Sequence, residues 1–191
     1  MSDPLQTLAR WLDDAREAEA PAPAAMTLAT VGVDGRPSAR VVSLKRVEPD
    51  ALVFTTALWT RKAEELRANP QVAAVLHWPA LGRQVRVEGQ AGIAERELAE
   101  ELFAARPLAH QLQTLVSRQG EPIDDLGPLR VRLDAQLAEA ADRAIPCPAE
   151  WGAVRIRPAV IEFWKEGADR LHDRLSYEAA EDGWRCRRLA P

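Results

Sequence analysis

Hydrophobic and polar positions along the chain change period several times, and each change marks an element. Leu5, Leu8, Trp11, Leu12 and Ala15 recur at helical spacing behind Asp3-Pro4. An N-cap followed by proline at the first helical position predicts an amphipathic helix of about four turns. Pro21-Ala22-Pro23 ends it, because proline cannot continue the hydrogen-bond ladder. From Ala25 the period becomes two. MTLATV, a turn over Gly32-Val33-Asp34-Gly35 and then SARVVSLK predict a hairpin. ALVFTTAL (51–58) predicts a third strand, and TRKAEELRANP (60–70) a short helix opened by Thr60 and closed by Asn69-Pro70. QVAAVLHW (71–78) and RQVRVEGQAGIAE (83–95) predict strands four and five. In the fifth, Val85, Val87, Gly89, Ala91 and Ile93 alternate with Gln84, Arg86, Glu88 and Gln90, which predicts one buried face.

Helical spacing returns over 96–105 and 128–143, with a further helix near 108–118. The tail reverts to strand in AVRIRP, VIEFWKEG, RLSYEA and GWRCRRLA. Six or more strands with inserted helices predict a mostly β fold closed, or nearly closed, into a barrel. No repeat, low-complexity tract or composition shift marks a boundary, so 1–191 reads as one domain. Its parts are an N-terminal helix (1–20), a barrel core (25–95), a helical insertion (96–145) and C-terminal strands (150–191).

Composition narrows the class. There are 25 Lys+Arg against 29 Asp+Glu, a net charge of −4, with 47% apolar residues and six Trp. Mild acidity argues against a general nucleic-acid binder, and no stretch approaches the ~20 apolar residues of a membrane helix. The start, Met1-Ser2-Asp3-Pro4, lacks a basic n-region and an apolar h-region, so no secretory signal is expected. The two cysteines, Cys147 and Cys186, form no CxxC pair, and a reducing cytoplasm is the expected compartment.

Common chemical motifs are missing. No GxGxxG, P-loop or GxSxG occurs, and His77, His110 and His172 have no ligand spacing, so no metal is expected. Glu97 and Glu101 share a helix face, where a solvated surface is the ordinary reading. Cationic residues stand out instead. Arg40 and Lys45 bracket the second strand, and Arg61-Lys62 occupies the first turn of a helix, where the macrodipole disfavours cations. Free N–H groups and two side-chain charges there make an anion cradle; a solvated basic patch is the equally open alternative. In RLHDR (170–174), read as a strand, Arg170, His172 and Arg174 fall on one side and repel unless an anion or acid sits among them. An exposed strand face is the plainer reading. Trp164 just before is core packing, or a wall for a flat ring.

MTLATV–DGRPSARVVSLK, RKAEEL–NP, RQVRVEG, RP, SRQ, IEFW, RLHDRL and the terminal GWRCRRLAP, in that order from about Asp3 to Pro191, resemble the FMN-dependent pyridoxine/pyridoxamine 5′-phosphate oxidases. The resemblance implies an FMN-binding split β-barrel and a homodimer with FMN at the subunit interface. It implies that Arg40, Val41, Val42, Ser43, Leu44 and Lys45 line the flavin, with Lys45 also reaching the substrate phosphate. Thr55, Thr56, Arg61, Lys62 and Gln84 hold the flavin phosphate and ring, and Gln119, Trp164 and Arg174 complete that site, some from the other subunit. Arg106 pairs with the substrate phosphate. Arg170 and His172 orient the pyridine ring as the catalytic pair, beside Leu171. The implied reaction is hydride transfer from substrate to flavin, with O2 as acceptor and H2O2 released.

The sequence departs from the family pattern at four places. Leu102 and His110 replace a tyrosine and a serine of the phosphate pocket, a loss of about 1–2 kcal/mol per hydroxyl donor unless His110 substitutes for one. Gln119-Gly120 stands for Gln-Ser, Thr55 replaces a tyrosine, and no basic N-terminal arm like that of some members is expected ahead of the first helix. Two enzymatic readings follow: a pyridoxine-phosphate oxidase, or a flavin oxidase of another small molecule such as a reduced phenazine precursor. Lys45, Arg106, Arg170 and His172 together favour the first. A non-catalytic flavin or pyridoxal-phosphate carrier, and a deazaflavin- or haem-binding barrel, are the further alternatives.

Overall fold

A computed structural model describes residues 3–140 and 144–191. Helix α1 (Pro4–Glu17) leads into strands β1 (Ala25–Val31), β2 (Pro37–Val47) and β3 (Leu52–Ala57). Helix α2 (Arg61–Ala68), β4 (Gln71–Trp78) and β5 (Arg83–Ile93) follow. Helices α3 (Arg96–Ala104), α4 (Leu108–Val116) and α5 (Gly127–Glu139) precede β6 (Trp151–Lys165), β7 (Asp173–Ala180) and β8 (Gly183–Leu189). The sheet order is β3-β2-β1-β4-β5-β6-β7-β8, and β3 also pairs with β6. Six strands therefore close a barrel and two extend it, which removes the exposed edges of the closed part. This is the split barrel. Among the described residues no helix is long and apolar enough to cross a membrane.

The chain forms two compact units. The first comprises residues up to Phe54, Glu65–Gly92 and Val154–Pro191. Its core is Leu5, Leu8 and Leu12 of α1 packed with Met26, Leu28, Phe54, Leu76, Val85, Ile156 and Ile161. Asp3 caps α1 as expected, its carboxylate accepting from the Leu5 N–H at 2.9 Å. In the β1–β2 hairpin the turn closes through Gly35 at φ +75°, a conformation that suits a residue without Cβ. Where β5 meets β6, a Cβ on Gly89 would lie 2.2 Å from the Arg157 carbonyl oxygen, so this strand crossing requires glycine for space.

The second unit, Thr55–Glu64 with Ile93–Ala153, packs Ala57, Phe103, Leu112, Ala140, Ile145 and Trp151 together. Phe103 and Trp151 meet edge to face at 6.0 Å.

Three expectations change. AVRIRP and VIEFW are not separate strands: β6 runs through Pro158 as one 15-residue strand. Ile93 leaves the buried alternation of β5 and is 42% exposed, because the strand ends there. RLHDR is not a strand. Ala168–Arg170 is a 3-10 turn, Asp169 and Arg170 have φ of 56° and 62°, and β7 begins only at Asp173. Arg170, His172 and Arg174 are therefore not one face of a strand. The helix expected over 128–143 runs as α5, and positions 141–143 lie outside the described residues.

Candidate active site

In the first unit the run Arg40–Lys45 alternates across β2. Val41, Ser43 and Lys45 face outward, with Lys45 Nζ donating to Ser43 Oγ at 3.3 Å. Arg40 and Val42 are half-buried, and the Leu44 side chain lies in the core. Strand register places Leu28 opposite Arg40 and Thr30 opposite Ser38. Glu65, on α2 and only 6% exposed, meets this face with one oxygen. Its Oε2 accepts from Thr30 Oγ1 at 2.5 Å, Ser38 Oγ at 2.7 Å and Arg40 Nη2 at 3.3 Å. Arg40 also donates to Thr30 and Ser38, so the buried carboxylate is charge-matched and hydrogen-bonded, the condition under which burial of a charge is tolerated. Gln84 lies half-buried on β5, opposite His77.

The segment 166–172 joins β6 to β7, with Lys165 paired to Asp173 at its neck. The Glu166 N–H donates to the Gly82 carbonyl at 2.8 Å, and the Leu171 N–H closes the turn on Ala168 at 3.0 Å. His172 packs against Trp164 with centroids 4.6 Å apart and planes tilted by 41°, and its Nδ1 accepts from the Gly167 N–H at 3.4 Å. Leu171 is 71% exposed. Arg174, just beyond this segment on β7, meets Glu162, which is buried on β6. Its Oε1 accepts from Arg174 Nε at 2.8 Å and its Oε2 from Arg86 Nη1 at 3.3 Å. That bond raises the pKa of Arg174, which remains a cation at any working pH.

In the second unit Lys62 is 8% exposed, which removes it from any solvated basic patch. Lys62 Nζ donates to Thr56 Oγ1 at 3.1 Å, Thr56 and Thr60 hydroxyls are 3.3 Å apart, and Thr60 Oγ1 donates to the Ala57 carbonyl at 2.7 Å. The Thr60 carbonyl accepts from the Ala63 and Glu64 N–H groups and starts α2. Thr55 beside them is half-buried, and Arg61 is exposed. Trp59 Nε1 donates to the Gln119 carbonyl at 3.1 Å, and the Arg118 guanidinium lies 5.3 Å from the Trp59 ring. Gln119 itself is exposed.

The Arg106 guanidinium lies over the Trp151 ring, 4.4 Å from its centroid, and donates from Nη1 to Thr114 Oγ1 at 2.6 Å. Burial lowers the pKa of Arg106, and the attraction of the nearby Cys147 sulfur pulls the other way. Thr114 donates in turn to the His110 carbonyl at 3.0 Å, and His110 is exposed on α4. Burial pushes the Cys147 thiol up, against the pull of Arg96.

The chain matches the family model described as pyridoxamine 5′-phosphate oxidase over residues 12–137, and that of the pyridoxine 5′-phosphate oxidase C-terminal dimerisation region over residues 151–191. The chain belongs to the pyridoxamine 5′-phosphate oxidase family. Among its relatives, the pyridoxine/pyridoxamine 5′-phosphate oxidase of Rubrobacter xylanophilus is 44% identical over 99% of this chain and 87% of its own length. That of Gluconobacter oxydans is 40% identical over 100% of this chain and 95% of its own. The crystal structure of PhzG from Burkholderia lata, in complex with tetrahydrophenazine-1-carboxylic acid, superposes with a TM-score of 0.93 at 32% identity, covering 100% of this chain and 94% of that one.

Two residues of this family member escape sequence reasoning: Glu65 and Glu162. Both are carboxylates in otherwise apolar or basic surroundings. Glu162 sits inside the apolar run VIEFW, and a lone charge within a buried strand is the signal that points to a paired partner. Glu65 follows Lys62 by three positions and precedes Leu66, all three on the buried side of α2.

Proposed function

We propose that the protein is an FMN-dependent oxidase that converts pyridoxamine or pyridoxine 5′-phosphate to pyridoxal 5′-phosphate, with O2 as acceptor and H2O2 released. The observation that carries this reading is the 44% identity, over 99% of the chain, to a relative bearing that activity's name. Lys45, Arg106, Arg170 and His172 are all present to serve it. When bound, FMN supplies the two-electron acceptor that O2 reoxidises.

The donor set suits that cofactor. A buried ammonium bonded to a threonine hydroxyl, at the start of a helix, is chemistry for a phosphate dianion. Thr55, Thr56, Arg61 and Lys62 would hold that phosphate. Arg40–Lys45, Gln84, Gln119, Trp164 and Arg174 would hold the rest of the flavin, some from a second subunit. The match to a C-terminal dimerisation region supports a homodimer. Arg106, seated over the Trp151 ring and tied to Thr114, would take the substrate phosphate with Lys45, and exposed His110 stands one turn away to assist. Arg170 and His172 would align the reacting carbon beside Leu171, a proximity effect. We place the enzyme in the cytoplasm, where its two thiols remain reduced.

Leu102 in place of a hydroxyl, and the likeness to PhzG, favour a second reading in which the same flavin chemistry acts on a reduced polycyclic precursor. The test is peroxide production by FMN-loaded protein with pyridoxine and pyridoxamine 5′-phosphates, following pyridoxal phosphate absorbance in parallel. Turnover is the expected result. Flavin-bound protein that yields no product from either vitamer overturns the first reading and moves the search to reduced polycyclic substrates.

A further inference from the structure

The segment 166–172 folds back on itself unusually tightly. A Cβ on Gly167 would lie 2.0 Å from the Leu171 carbonyl oxygen, 2.9 Å from its carbon and 3.5 Å from the His172 Cα. Backbone, not a flexible side chain, occupies that space. The φ and ψ of Gly167 are −121° and 157°, an extended conformation open to any residue. Glycine is therefore required here for close approach and not for its dihedral freedom. The return of the chain brings the Gly167 N–H to His172 Nδ1 at 3.4 Å. A ring nitrogen that accepts a backbone N–H carries no proton of its own, so the neutral imidazole holds its proton on Nε2. The Trp164 ring lies beside the imidazole, centroids 4.6 Å apart and planes tilted by 41°. Two left-handed residues, Asp169 and Arg170, make the turn that returns the chain.

We propose that Gly167 is a positioning residue that fixes His172 as its Nε2–H tautomer, so that the imidazole meets the substrate only as a hydrogen-bond donor through Nε2. This rests on the reading that puts His172 beside the substrate. It narrows the role of His172: in its neutral form the ring offers no acceptor nitrogen toward the reacting carbon. A donor role matches an anionic or carbonyl oxygen on the substrate ring.

The test has two arms on the FMN-loaded protein. In the first, 15N spectra of histidine-labelled protein are recorded with the ring neutral, and the His172 signals are identified by their loss in His172→Gln. A pyrrole-type Nε2 and a pyridine-type Nδ1 are expected, with averaging toward both tautomers in Gly167→Ala. A protonated Nδ1 in the unmodified protein overturns the proposal. The second arm compares His172→Gln, whose amide reaches the place of Nε2, with His172→Asn, whose amide reaches only that of Nδ1. Gln is expected to retain at least tenfold more turnover, seen in kcat while FMN binding is equal. Equal turnover of the two variants overturns the proposal. The spectra need no substrate, so the expected tautomer in a protein inactive on both vitamers overturns the vitamer-phosphate reading and leaves this proposal standing.

Discussion

Glu162 and Arg174 face each other across the β6–β7 pair, Oε1 to Nε at 2.8 Å, and Arg86 reaches the other carboxylate oxygen from β5. The pair is diagonal. Register sets Trp164 opposite Arg174, so Glu162 is two residues along on the same face, where long side chains meet. One buried carboxylate thus neutralises cations from two neighbouring strands. Glu162→Ala is expected to lower the thermal midpoint more than Glu162→Gln does. In a double-mutant cycle, adding Arg174→Ala to Glu162→Ala should cost less than the sum of the two single changes. Additive midpoints would show that the pair is not coupled.

Lys62 and Thr56 form the buried donor pair proposed for the flavin phosphate. A charge-assisted bond is worth about 1.5–3 kcal/mol, so Lys62→Met should weaken FMN binding by roughly ten- to a hundredfold. Flavin fluorescence titration measures this, with circular dichroism to verify the fold. Unchanged affinity would place the phosphate elsewhere.

Arg170→Ala and His172→Ala should each lower turnover while leaving FMN bound. Misplacing a reacting group by an ångström costs on the order of a hundredfold. Steady-state peroxide assays beside the flavin absorbance of the purified variants separate the two effects. If Arg170→Ala left turnover intact on every candidate substrate, the placement of substrate beside residues 170–172 would be wrong.

Gly89→Ala drives a Cβ against the Arg157 carbonyl oxygen and Pro158 Cα, both backbone. Overpacking of this kind costs about 1–3 kcal/mol, to be read as a lowered urea midpoint. Gly92, also on β5, has nothing within 4 Å of its would-be Cβ. Gly92→Ala is the control expected to be near neutral.

The Cys147 thiol is held up by burial. Its neutral form is favoured in the folded state, so the unfolded chain loses the proton first as pH rises. Its contribution to stability is complete below the unfolded thiol value of about 8.5 and declines above it. Alkylation of Cys147 by iodoacetamide at pH 8 should be slower in native than in urea-unfolded protein, as peptide mapping would show. Equal rates would mean the thiolate forms as readily in the fold as out of it.

The barrel was legible because its strands alternate cleanly and its punctuation is strong. Asp3-Pro4 starts α1, the Gly32–Gly35 turn joins β1 to β2, and Pro70 precedes β4. Periodicity misread three places, the first being Ile93, expected on the buried face of β5 and exposed where the strand ends. Pro158 looked like a strand end, yet β6 continues through it. RLHDR alternates like a strand, but Asp169 and Arg170 adopt left-handed backbone, a conformation Asp tolerates and Arg does not announce.

For the site, local pattern singled out the charged or titratable side chains of Arg40, Lys62, Arg170, His172 and Arg174, with Arg106 added by the family resemblance alone. It could not say what faces them, because opposition across strands depends on register and on which helix lands on which face. Glu65 lies 25 positions from Arg40, and Arg86 lies 76 from Glu162. The sequence by itself determined the strand and helix order, the family and the inventory of charged groups. Only the tertiary structure decided that two of those arginines are matched by buried carboxylates, that Lys62 is inside, and that Gly167 reaches His172. Burial and pairing are properties of chain segments brought together, and no local pattern encodes them.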